Sequence, residues 1–393
     1  MPTLPTLQLK KDEDRRVLSG HLWIFSNELK TPLKGLAPGA LVDVESASGT
    51  FLARGYANPK TLLCVRLLCR ERRPVDRAFF KERFAAARKY RDALLGPRAL
   101  RREVHGEADY LPGLVVERFG GCIVLQIGSA GMEALLPEIL PAIEEVYEPG
   151  AVVFAGRGSG REQEGLPERV EVLRGDVPGI LWVESEGLQI PVDPLKGQKT
   201  GFFLDQEENR RYLAPLSKGA RVLDVFSYTG ALSLRALAAG ASHATLVDSS
   251  ESALSLAREA MEKNGFSGKF TLHQSDAGKV LKSLAQEKRR FEIVSTDPPA
   301  FAKSQKHVRE ALKAYQETAE AALELVAPAG LYAASSCSHH VDAEEFRKML
   351  SRAFRGSGRL GRIAALRGAA PDHPVHPAMP ETGYLKWALS GVE

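Results

Sequence analysis

Residues 335–340, SSCSHH, place a cysteine among small polar side chains. An apolar run, residues 331–334, precedes them, and a helix-like stretch, residues 341–354, follows. A cysteine that serves as a packing residue normally lies within an apolar run, where it acts as a small hydrophobe. Cys337 lies just past such a run, so its thiol is a candidate for a chemical role.

Three aspartates end successive strand-like runs in the second half of the chain. Asp224 lies in RVLDVF, Asp248 ends HATLVD and Asp276 ends FTLHQSD, and a helix-like stretch follows each run. In a doubly wound α/β sheet, ligands bind beyond the carboxyl ends of the strands, where an acid can hydrogen-bond ribose hydroxyls. The three acids therefore predict a site for an adenosyl cofactor, with Asp248 on the ribose and Asp276 on the adenine amino group.

The turn after the first of these strands, DVFSYTGALS, contains a single glycine, Gly230, which lets backbone N–H groups approach a ligand at the helix start. A dehydrogenase would share the ribose acid but would need G-x-G-x-x-G for its pyrophosphate. A cofactor with a sulfonium and an amino-acid tail fits this turn better. Any one of the acids is also a common helix cap, but their recurrence in successive strands favours the cofactor site.

The fourth strand-like run of this region ends in TDPPAF, residues 296–301. Two prolines after an aspartate form a stiff loop without a free N–H at either proline, so Asp297 and Phe301 are held in fixed directions. A flipped-out base is recognised by hydrogen bonds to its Watson–Crick edge and by a surface on which it stacks. A carboxylate beside an aromatic ring supplies both, although Asp-Pro-Pro is also an ordinary turn signal.

Length and composition limit the class of protein. At 393 residues the chain is too long for one ordinary core, so two or three domains are expected. No early segment joins a basic start to an apolar stretch, and nowhere do about 18 apolar residues run together, so neither a signal peptide nor a membrane span is expected. In a cytoplasmic protein the four cysteines are expected to be reduced thiols, and their spacing predicts no metal site.

The charge of the chain is unevenly distributed. Residues 1–105 hold 21 Lys and Arg against 11 Asp and Glu, while the other 288 residues hold 32 against 38. A basic segment of this kind favours a polyanion partner such as RNA. A predicted helix over residues 76–95 contributes much of the charge, and five of its cations are expected to point outward: Lys81, Arg83, Arg88, Lys89 and Arg91. On charge alone, RNA binding and a solvated basic face are equally favoured.

The pattern of the chain predicts three parts, residues 1–73, 74–192 and 193–393. In the first, short strand-like runs separated by Gly, Pro and Asn predict a small β-barrel. In the second, the basic helix precedes a mixed α/β segment in which LVVERFGGCIVLQI and ILWVESEGLQIPV are hairpin signals. In the third, strand-like and helix-like stretches alternate, which predicts an α/β fold with a doubly wound sheet.

The motifs VLDVFSYTGALSL, TDPPAF and SSCS resemble, in this order, the cofactor-loop, base-binding and catalytic-cysteine motifs of class I S-adenosylmethionine-dependent methyltransferases that act on RNA. Four further stretches are more narrowly similar to the bacterial cytosine-C5 methyltransferases of 23S ribosomal RNA: GHLWIF, GEADYLPGLVVERF, GQKTGFFLDQEENRR and DHPVHPAMPETGYLK. The resemblance covers nearly the whole chain. Two positions depart from the family's pattern, because Glu207 stands where LDQREN has an arginine and Met379 where HPET has a histidine.

The resemblance implies a PUA domain, which is a small RNA-binding barrel, then a connecting α/β domain and a Rossmann-like methyltransferase domain with a seven-stranded sheet. It implies S-adenosyl-L-methionine as cofactor and 23S ribosomal RNA as partner, with a homodimer as an option and with neither a metal nor a membrane. The implied base contacts are Asp297, Pro298, Pro299 and Phe301. The implied cofactor site comprises Lys199, Thr200, Gly201, Asp224, Phe226, Tyr228, Gly230, Asp248, Ser249, Asn264, Asp276 and Ala277.

In such an enzyme Cys337 is the catalytic thiol. Cytosine C5 is a poor nucleophile, and a thiolate that adds at C6 turns C5 into an enamine carbon able to attack the sulfonium methyl group. The position of Cys337 before a helix start is expected to favour the thiolate, and Asp297 is expected to hold the base edge. Many RNA cytosine-C5 enzymes carry a second cysteine after the motif proline, where this chain has Pro299. Removal of the C5 proton therefore needs another group or a water, and His339 and His340 are near in sequence.

Two alternatives stay open. Asp-Pro-Pro followed by an aromatic residue also suits methylation of guanine N7 or of an exocyclic amine, a direct displacement in which Cys337 would only pack. A cofactor-bound RNA-binding assembly factor with little turnover is a third interpretation. The set Asp224, Asp248, Asp276, Asp297 and Cys337 argues against the last of these.

Overall fold

The computed structural model describes residues 4–302 and 304–393, and its contacts divide the chain into two compact units. Unit 1 comprises the described residues up to Val183 together with Val192–Leu204 and Pro371–Thr382. Unit 2 comprises the described residues of Glu184–Pro191, Asp205–Ala370 and Gly383–Glu393.

The first part of unit 1 is a closed five-stranded β-sheet. Its strands lie in the order β1-β3-β4-β5-β2. They are β1 (Thr6–Gln8), β2 (Trp23–Phe25), β3 (Ala40–Glu45), β4 (Phe51–Ala57) and β5 (Leu63–Cys69), with helix α1 (Arg15–Leu18) before β2. The two edges meet because Leu9 and Leu29, just beyond β1 and β2, form a bridge. The predicted small β-barrel is therefore present, and it encloses Val42, Val44 and Val65.

The second part of unit 1 is a five-stranded sheet in the order β10-β9-β8-β7-β6, covered by helices. The strands are β6 (Leu100–His105), β7 (Leu114–Phe119), β8 (Cys122–Ile127), β9 (Ala151–Gly156) and β10 (Arg169–Arg174). The helices are α2 (Arg77–Leu95), α3 (Ala130–Ala134), α4 (Leu136–Tyr147) and α5 (Ser159–Gln163). The predicted hairpin at Gly120 is present as the antiparallel pair β7–β8.

Helix α2 corrects the predicted outward direction of Arg91, whereas Lys81, Arg88 and Lys89 are exposed and Arg83 is partly exposed. Arg91 is fully buried, and its guanidinium donates to both carboxylate oxygens of Asp109 at 3.0 and 2.7 Å. On the exposed side, Lys81 pairs with Glu145 of α4 at 3.0 Å. Arg88 lies 3.7 Å from Asp92 of its own helix. Since an acid lies beside each of these three cations, the positive potential of α2 is weaker than its cations alone would give.

The structure also moves two predicted domain boundaries. The barrel and the connecting segment, predicted as separate domains, cluster as one unit, and residues 192–204 belong with them rather than with the methyltransferase part. The late segment Pro371–Thr382 returns to unit 1, where Met379 is fully buried in the barrel core. Burial of Met379 explains why an apolar residue is accommodated at a position where a histidine was expected.

Unit 2 is built on a seven-stranded sheet in the order β15-β14-β13-β16-β17-β19-β18. The strands are β13 (Arg221–Val225), β14 (His243–Asp248), β15 (Phe270–Gln274), β16 (Phe291–Thr296), β17 (Val326–Ser336), β18 (Gly361–Arg367) and β19 (Lys386–Val392). The first five of these strands pair in parallel, whereas β19 is antiparallel to both β17 and β18. The predicted α/β fold with a seven-stranded, Rossmann-like sheet is confirmed.

The helices of unit 2 connect these strands in the manner of a doubly wound sheet. They are α6 (Glu207–Leu213), α7 (Ala231–Ala238), α8 (Glu251–Lys263), α9 (Ala277–Gln286), α10 (Val308–Leu325) and α11 (Ala343–Gly356). A separate hairpin, β11 (Leu181–Ser185) and β12 (Leu188–Val192), forms a two-stranded sheet. The strand order reverses direction between β13 and β16, and the crevice beyond the carboxyl ends at such a point is where ligands bind in this kind of fold.

Candidate active site

The loop between β13 and α7 has an unusual backbone. Phe226, Tyr228 and Gly230 all adopt positive φ angles, of 64°, 49° and 72°. Non-glycine residues rarely adopt this conformation, and where they do, a functional site is a frequent reason. The main chain is held by hydrogen bonds from the N–H groups of Phe226 and Ser227 to Val247 O at 2.9 and 3.1 Å. The predicted cofactor loop is therefore anchored to the neighbouring strand β14.

Gly230 is required for packing as well as for its φ angle. A Cβ atom at this position would lie 2.7 Å from Leu246 Cδ2, 3.1 Å from Met261 Cε and 3.2 Å from Ala257 Cβ. The absence of a side chain lets the start of α7 approach β14 and α8. Only glycine combines this close approach with a left-handed backbone.

Asp248 lies at the carboxyl end of β14 and shapes the same loop. Its Oδ2 accepts a hydrogen bond from Tyr228 N at 2.8 Å, and its Oδ1 accepts one from Ser250 N at 2.9 Å. Each carboxylate oxygen can accept a second hydrogen bond, so the geometry is compatible with a role on a ribose. The exposed neighbour Ser249 lies between these contacts in the chain.

Asp224 is buried beneath the loop rather than exposed at its surface. The side chain is 4% exposed and accepts a hydrogen bond from Ser233 Oγ of α7 at 2.8 Å. Burial raises the pKa of this carboxyl from its usual 3.8 to about 6, and the Ser233 hydrogen bond opposes the rise. Asp224 therefore ties β13 to α7 and carries a charge that is costly to bury.

Two further predicted cofactor residues lie at the start of α9, beyond β15. Asp276 is exposed and is the N-cap of this helix, because its Oδ1 accepts from Lys279 N at 3.1 Å. Ala277 is the first helical residue and is partly buried. The capping role is observed, and the contact of Asp276 with an adenine stays a prediction.

The structure does not place Asn264 with this group, which corrects that prediction. Asn264 ends α8, whose other end lies beside Asp248, and a helix of this length separates its two ends by about 20 Å. Its side-chain amide accepts from Gln189 N and donates to Gln189 O, both at 2.9 Å. A third contact, from its Nδ2 to Ala260 O, measures 2.7 Å. Asn264 thus joins the β12 strand to α8.

Lys199, Thr200 and Gly201 belong to unit 1, where their segment is tightly folded. Thr200 is buried and its hydroxyl donates to the Glu117 carboxylate. Gly201 has a φ of 104°, and a Cβ there would lie 2.4 Å from Asp193 O. Because this segment belongs to the other unit, the predicted role of these three residues in cofactor binding stays a prediction.

Asp297 follows β16 and is held by a side chain from a distant part of the sequence. Gln206 Nε2 donates to Asp297 Oδ1 at 2.9 Å and to Ser335 Oγ at 3.0 Å. Gln206 Oε1 in turn accepts from Asn209 Nδ2 at 2.8 Å, which fixes the orientation of the amide. The main-chain N–H of Asp297 also donates to Val225 O at 3.2 Å. The carboxylate therefore has a defined direction at the carboxyl end of the sheet.

The loop that contains Pro298, Pro299 and Phe301 is fastened to the loop that contains Cys337. The Ser338 hydroxyl accepts from Ala302 N at 3.2 Å and lies 2.9 Å from the Tyr315 hydroxyl. Tyr315 packs its ring against Phe301, with centroids 4.7 Å apart. Cys337 Sγ lies 3.9 Å from Pro298 O. The two predicted catalytic loops are thus brought together by side chains of SSCS and α10.

Cys337 differs from the other three cysteines in its exposure. All four cysteines are free thiols, and Cys64, Cys69 and Cys122 are buried whereas Cys337 is partly exposed. Burial raises the pKa of the Cys64 and Cys122 thiols to about 11. The buried thiols are therefore inert at neutral pH, and Cys337 is the accessible one.

The expected effect of a helix N-terminus on Cys337 is not supported. Helix α11 begins at Ala343, and Asp342 is its N-cap, with Oδ1 accepting from Glu345 N at 2.7 Å. A carboxylate thus already occupies the positive end of the helix, several residues beyond the thiol. His339 and His340 between them are exposed, and His339 stacks on Tyr384 with ring centroids 5.2 Å apart. Any charge that favours a thiolate must come from elsewhere.

Two side chains of the site were missed at the level of sequence. Gln206 lies within the quoted GQKTGFFLDQEENRR, but nothing in the spacing connects it with Asp297. The sequence shows that Ser338 lies next to Cys337, but it does not show that the Ser338 hydroxyl joins the two loops. Glu207, which stands where the family pattern has an arginine, is buried and pairs with Arg235 of α7. It also lies 3.5 Å from Arg210. Glu207 therefore ties α6 to α7, the helix that follows the cofactor loop.

The loop between β13 and α7 fits the predicted cofactor. Across the described part of the chain, Ser227 Oγ is one of the buried polar atoms without a hydrogen-bond partner, and it lies at the centre of this loop. Together with the left-handed residues and the Asp248 carboxylate, this orphaned hydroxyl marks a polar cradle built for a ligand. Within residues 4–302 and 304–393, neither a metal-binding cluster nor a helix able to span a membrane is found.

Comparison with known proteins agrees with this geometry. Residues 7–70 match the family of PUA-like domains, and residues 207–326 match the family named Conserved hypothetical protein 95. The chain is 33% identical over 389 residues to ribosomal RNA large subunit methyltransferase I of Aeromonas hydrophila subsp. hydrophila, covering 97% of this chain and 98% of that protein. The protein of the same name from Salmonella arizonae is 32% identical over 391 residues, covering 98% and 97%.

Solved structures show the same fold. A chain described as a SAM-dependent methyltransferase from Streptococcus mutans superposes with a TM-score of 0.84 at 21% identity, over 99% of this chain and 100% of that one. A second, described as a methyltransferase complexed with SAH, has a TM-score of 0.86 at 21% identity and the same coverage. The fold is therefore that of methyltransferases that use S-adenosylmethionine. Given 33% identity over nearly its whole length, the chain belongs to the ribosomal RNA large subunit methyltransferase I family.

Proposed function

We propose that this protein uses S-adenosylmethionine to form 5-methylcytosine in 23S ribosomal RNA through a covalent bond between Cys337 and C6 of the target base. The observation that carries the proposal is the clamp between the two loops. The Ser338 hydroxyl, bonded to Ala302 N and to Tyr315, holds the Asp297 loop beside an accessible thiol. A nitrogen methyltransferase would have no use for that thiol.

The chemistry assigns one task to each side chain. The Cys337 thiolate adds to C6, an S–C6 bond forms, and the electron pair of the C5–C6 double bond becomes available at C5 for attack on a methyl group. Asp297, oriented by Gln206, hydrogen-bonds the Watson–Crick edge of the base and shares a proton with N3, where negative charge develops as the thiolate adds to C6. When a water or another base has taken the C5 proton, the C5–C6 double bond re-forms and the thiolate leaves.

S-adenosylmethionine, when bound, supplies the methyl group on its sulfonium. We assign Asp248 to its ribose and the loop of Phe226, Tyr228 and Gly230 to the approach of main-chain N–H groups. Asp276, next to Ala277, is assigned to the adenine amino group. Support for this assignment comes from the strained loop, the orphaned Ser227 hydroxyl and the two N–H contacts that orient Asp248.

The experiment uses 23S ribosomal RNA fragments that contain 5-fluorocytidine. Fluorine cannot leave C5 as a proton does, so elimination stalls and the protein stays bound to the RNA. With S-adenosylmethionine, the wild-type protein is expected to give a band that resists denaturant. Cys337→Ala is expected to give neither this band nor methylation. Cys122→Ala, which removes a buried thiol, is the matched control and should behave as wild type.

The same experiment separates the alternatives. If Cys337→Ala methylates at the normal rate and wild type gives no adduct, covalent catalysis is refuted and methylation of guanine N7 or of an exocyclic amine takes its place. If the wild-type protein binds RNA and cofactor but mass mapping finds no methylated nucleotide, the protein acts as an assembly factor.

A further inference from the structure

A lysine on the last strand reaches the loop of Cys337. In the antiparallel pairing of β17 with β19, Lys386 lies opposite Ser336, the residue before Cys337. Its Nζ donates to Ser338 O at 2.6 Å and to Tyr384 O at 2.7 Å. Lys386 therefore meets the main chain on both sides of Cys337, because its strand pairs with Ser336 and its ammonium group binds the carbonyl oxygen of Ser338.

Burial of this ammonium group costs free energy, because the cation loses most of its contact with water. Lys386 is 9% exposed, and both hydrogen-bond acceptors are neutral carbonyl oxygens. Burial lowers the pKa of Lys386 from 10.5 to about 8, while negative charge at Cys337, Asp342 and Glu345 acts in the opposite direction. A buried cation is rare in proteins unless an anion or a function compensates for its desolvation.

Of the three anionic groups that act on Lys386, the thiol is the one next to the main-chain carbonyl that the ammonium group binds. Asp342 is exposed and caps α11, and Glu345 is partly exposed and completes the same capping box. Water and salt screen such carboxylates. The Cys337 thiol lies on the segment to which Nζ is hydrogen-bonded, and of these three groups it has the largest effect on the pKa of Lys386.

We propose that Lys386 is a positioning residue for methyl transfer: its ammonium favours the thiolate form of Cys337 and holds the loop that presents it. The inference rests on the proposed function, in which Cys337 is the nucleophile. It also replaces the helix N-terminus as the source of positive charge, since Asp342 already caps α11. Nearby lysines are known to lower the pKa of reactive cysteines.

The test follows the rate at which iodoacetamide alkylates Cys337 as a function of pH, read by mass spectrometry of the Cys337 peptide. In Lys386→Met, the pH at which the rate reaches half its maximum should rise by about one unit or more, with a loss of about tenfold in rate at pH 7. Lys386→Arg keeps the charge and should restore most of the wild-type profile. Lys348→Met removes an exposed cation from α11 and is the matched control, which should leave the profile unchanged.

Methylation provides a second reading. In Lys386→Met the acidic limb of the pH profile of kcat should shift to higher pH by the same number of pH units as the alkylation profile, while KM for RNA stays the same. If Lys386 merely ties β19 to the loop, Lys386→Met should leave the acidic limb where it is in the wild-type protein. Folding of each variant is checked by hydrogen exchange in β17 and β19.

The outcomes distinguish this inference from the proposed function. An unchanged alkylation profile in folded Lys386→Met overturns the role of Lys386, whether or not the 5-fluorocytidine adduct forms. A shifted profile without any wild-type adduct leaves the effect of Lys386 on the thiol standing and refutes covalent catalysis instead.

Discussion

Asp224 offers a direct test of the electrostatics of the cofactor loop. Its pKa is raised from 3.8 to about 6, chiefly by burial. An acid with a raised pKa binds more protons in the folded than in the unfolded state between these two pH values, so its contribution to stability falls as pH rises through this window. A rise of roughly two pKa units corresponds to about 3 kcal/mol, which the folded protein loses above pH 6.

Asp224→Asn removes this charge and keeps the size of the side chain. We expect the free energy of unfolding at pH 7.5 to increase by about 1–3 kcal/mol, because the neutral amide can still accept from the Ser233 hydroxyl. At pH 4 the gain should nearly vanish, since the wild-type carboxyl is protonated there. The assay is urea unfolding followed by hydrogen exchange of peptides from β13 and α7, which reports on unit 2.

The control for this test is Asp276→Asn. Asp276 is an exposed helix cap, and asparagine caps a helix about as well as aspartate, so little change is expected at either pH. A gain in Asp224→Asn that is the same at pH 4.5 and 7.5 would refute the reasoning. So would a variant that is less stable than wild type at pH 7.5, because the hydrogen bond from Ser233 would then outweigh the cost of burial.

Three other predictions concern binding and catalysis. Asp248→Ala should weaken S-adenosylmethionine binding at least about tenfold in calorimetry, because Tyr228 N and Ser250 N lose their acceptor, and unchanged binding would contradict the assignment. Gln206→Leu should lower kcat about tenfold or more with unchanged cofactor affinity, because Asp297 loses the donor that orients it, and equal loss of cofactor binding would point to a wider disruption. RNA affinity should fall steeply with salt, and replacing Lys10 and Lys11 of the barrel by Gln should reduce the slope of log affinity against log salt concentration by about two. The same replacements at Lys279 and Lys282 of α9 serve as controls.

Much of the fold was visible in local patterns. Alternation of strand-like and helix-like stretches predicted the doubly wound sheet, because each element buries one face and shows the corresponding period. The positions of Asp224, Asp248, Asp276 and Asp297 at strand ends followed from the same periods, since the carboxyl ends of parallel strands meet at one edge. The strained loop was indicated by its single glycine, although the left-handed angles at Phe226 and Tyr228 were not.

The sequence predicted which helix is basic, but it did not predict which of the cations on that helix are buried or paired with acids. The basic character of α2 is real, but Arg91 is buried against Asp109, and Lys81 pairs with an acid from α4. A helical wheel places a cation on one face of its own helix and contains no information about which helix packs there. Asn264 is far from Asp248 for a different reason, because the length of α8 separates the two ends of this helix.

The contacts that assemble the reactive centre span long separations in the chain. Gln206 reaches Asp297 across 91 residues, and Lys386 reaches Ser338 across 48. Such contacts depend on strand register and on the path of each connection, which local propensity does not specify. Residue types and spacing thus defined the kinds of chemistry open to this chain, and tertiary packing determined that Gln206 contacts Asp297 and that Lys386 contacts the loop of Cys337.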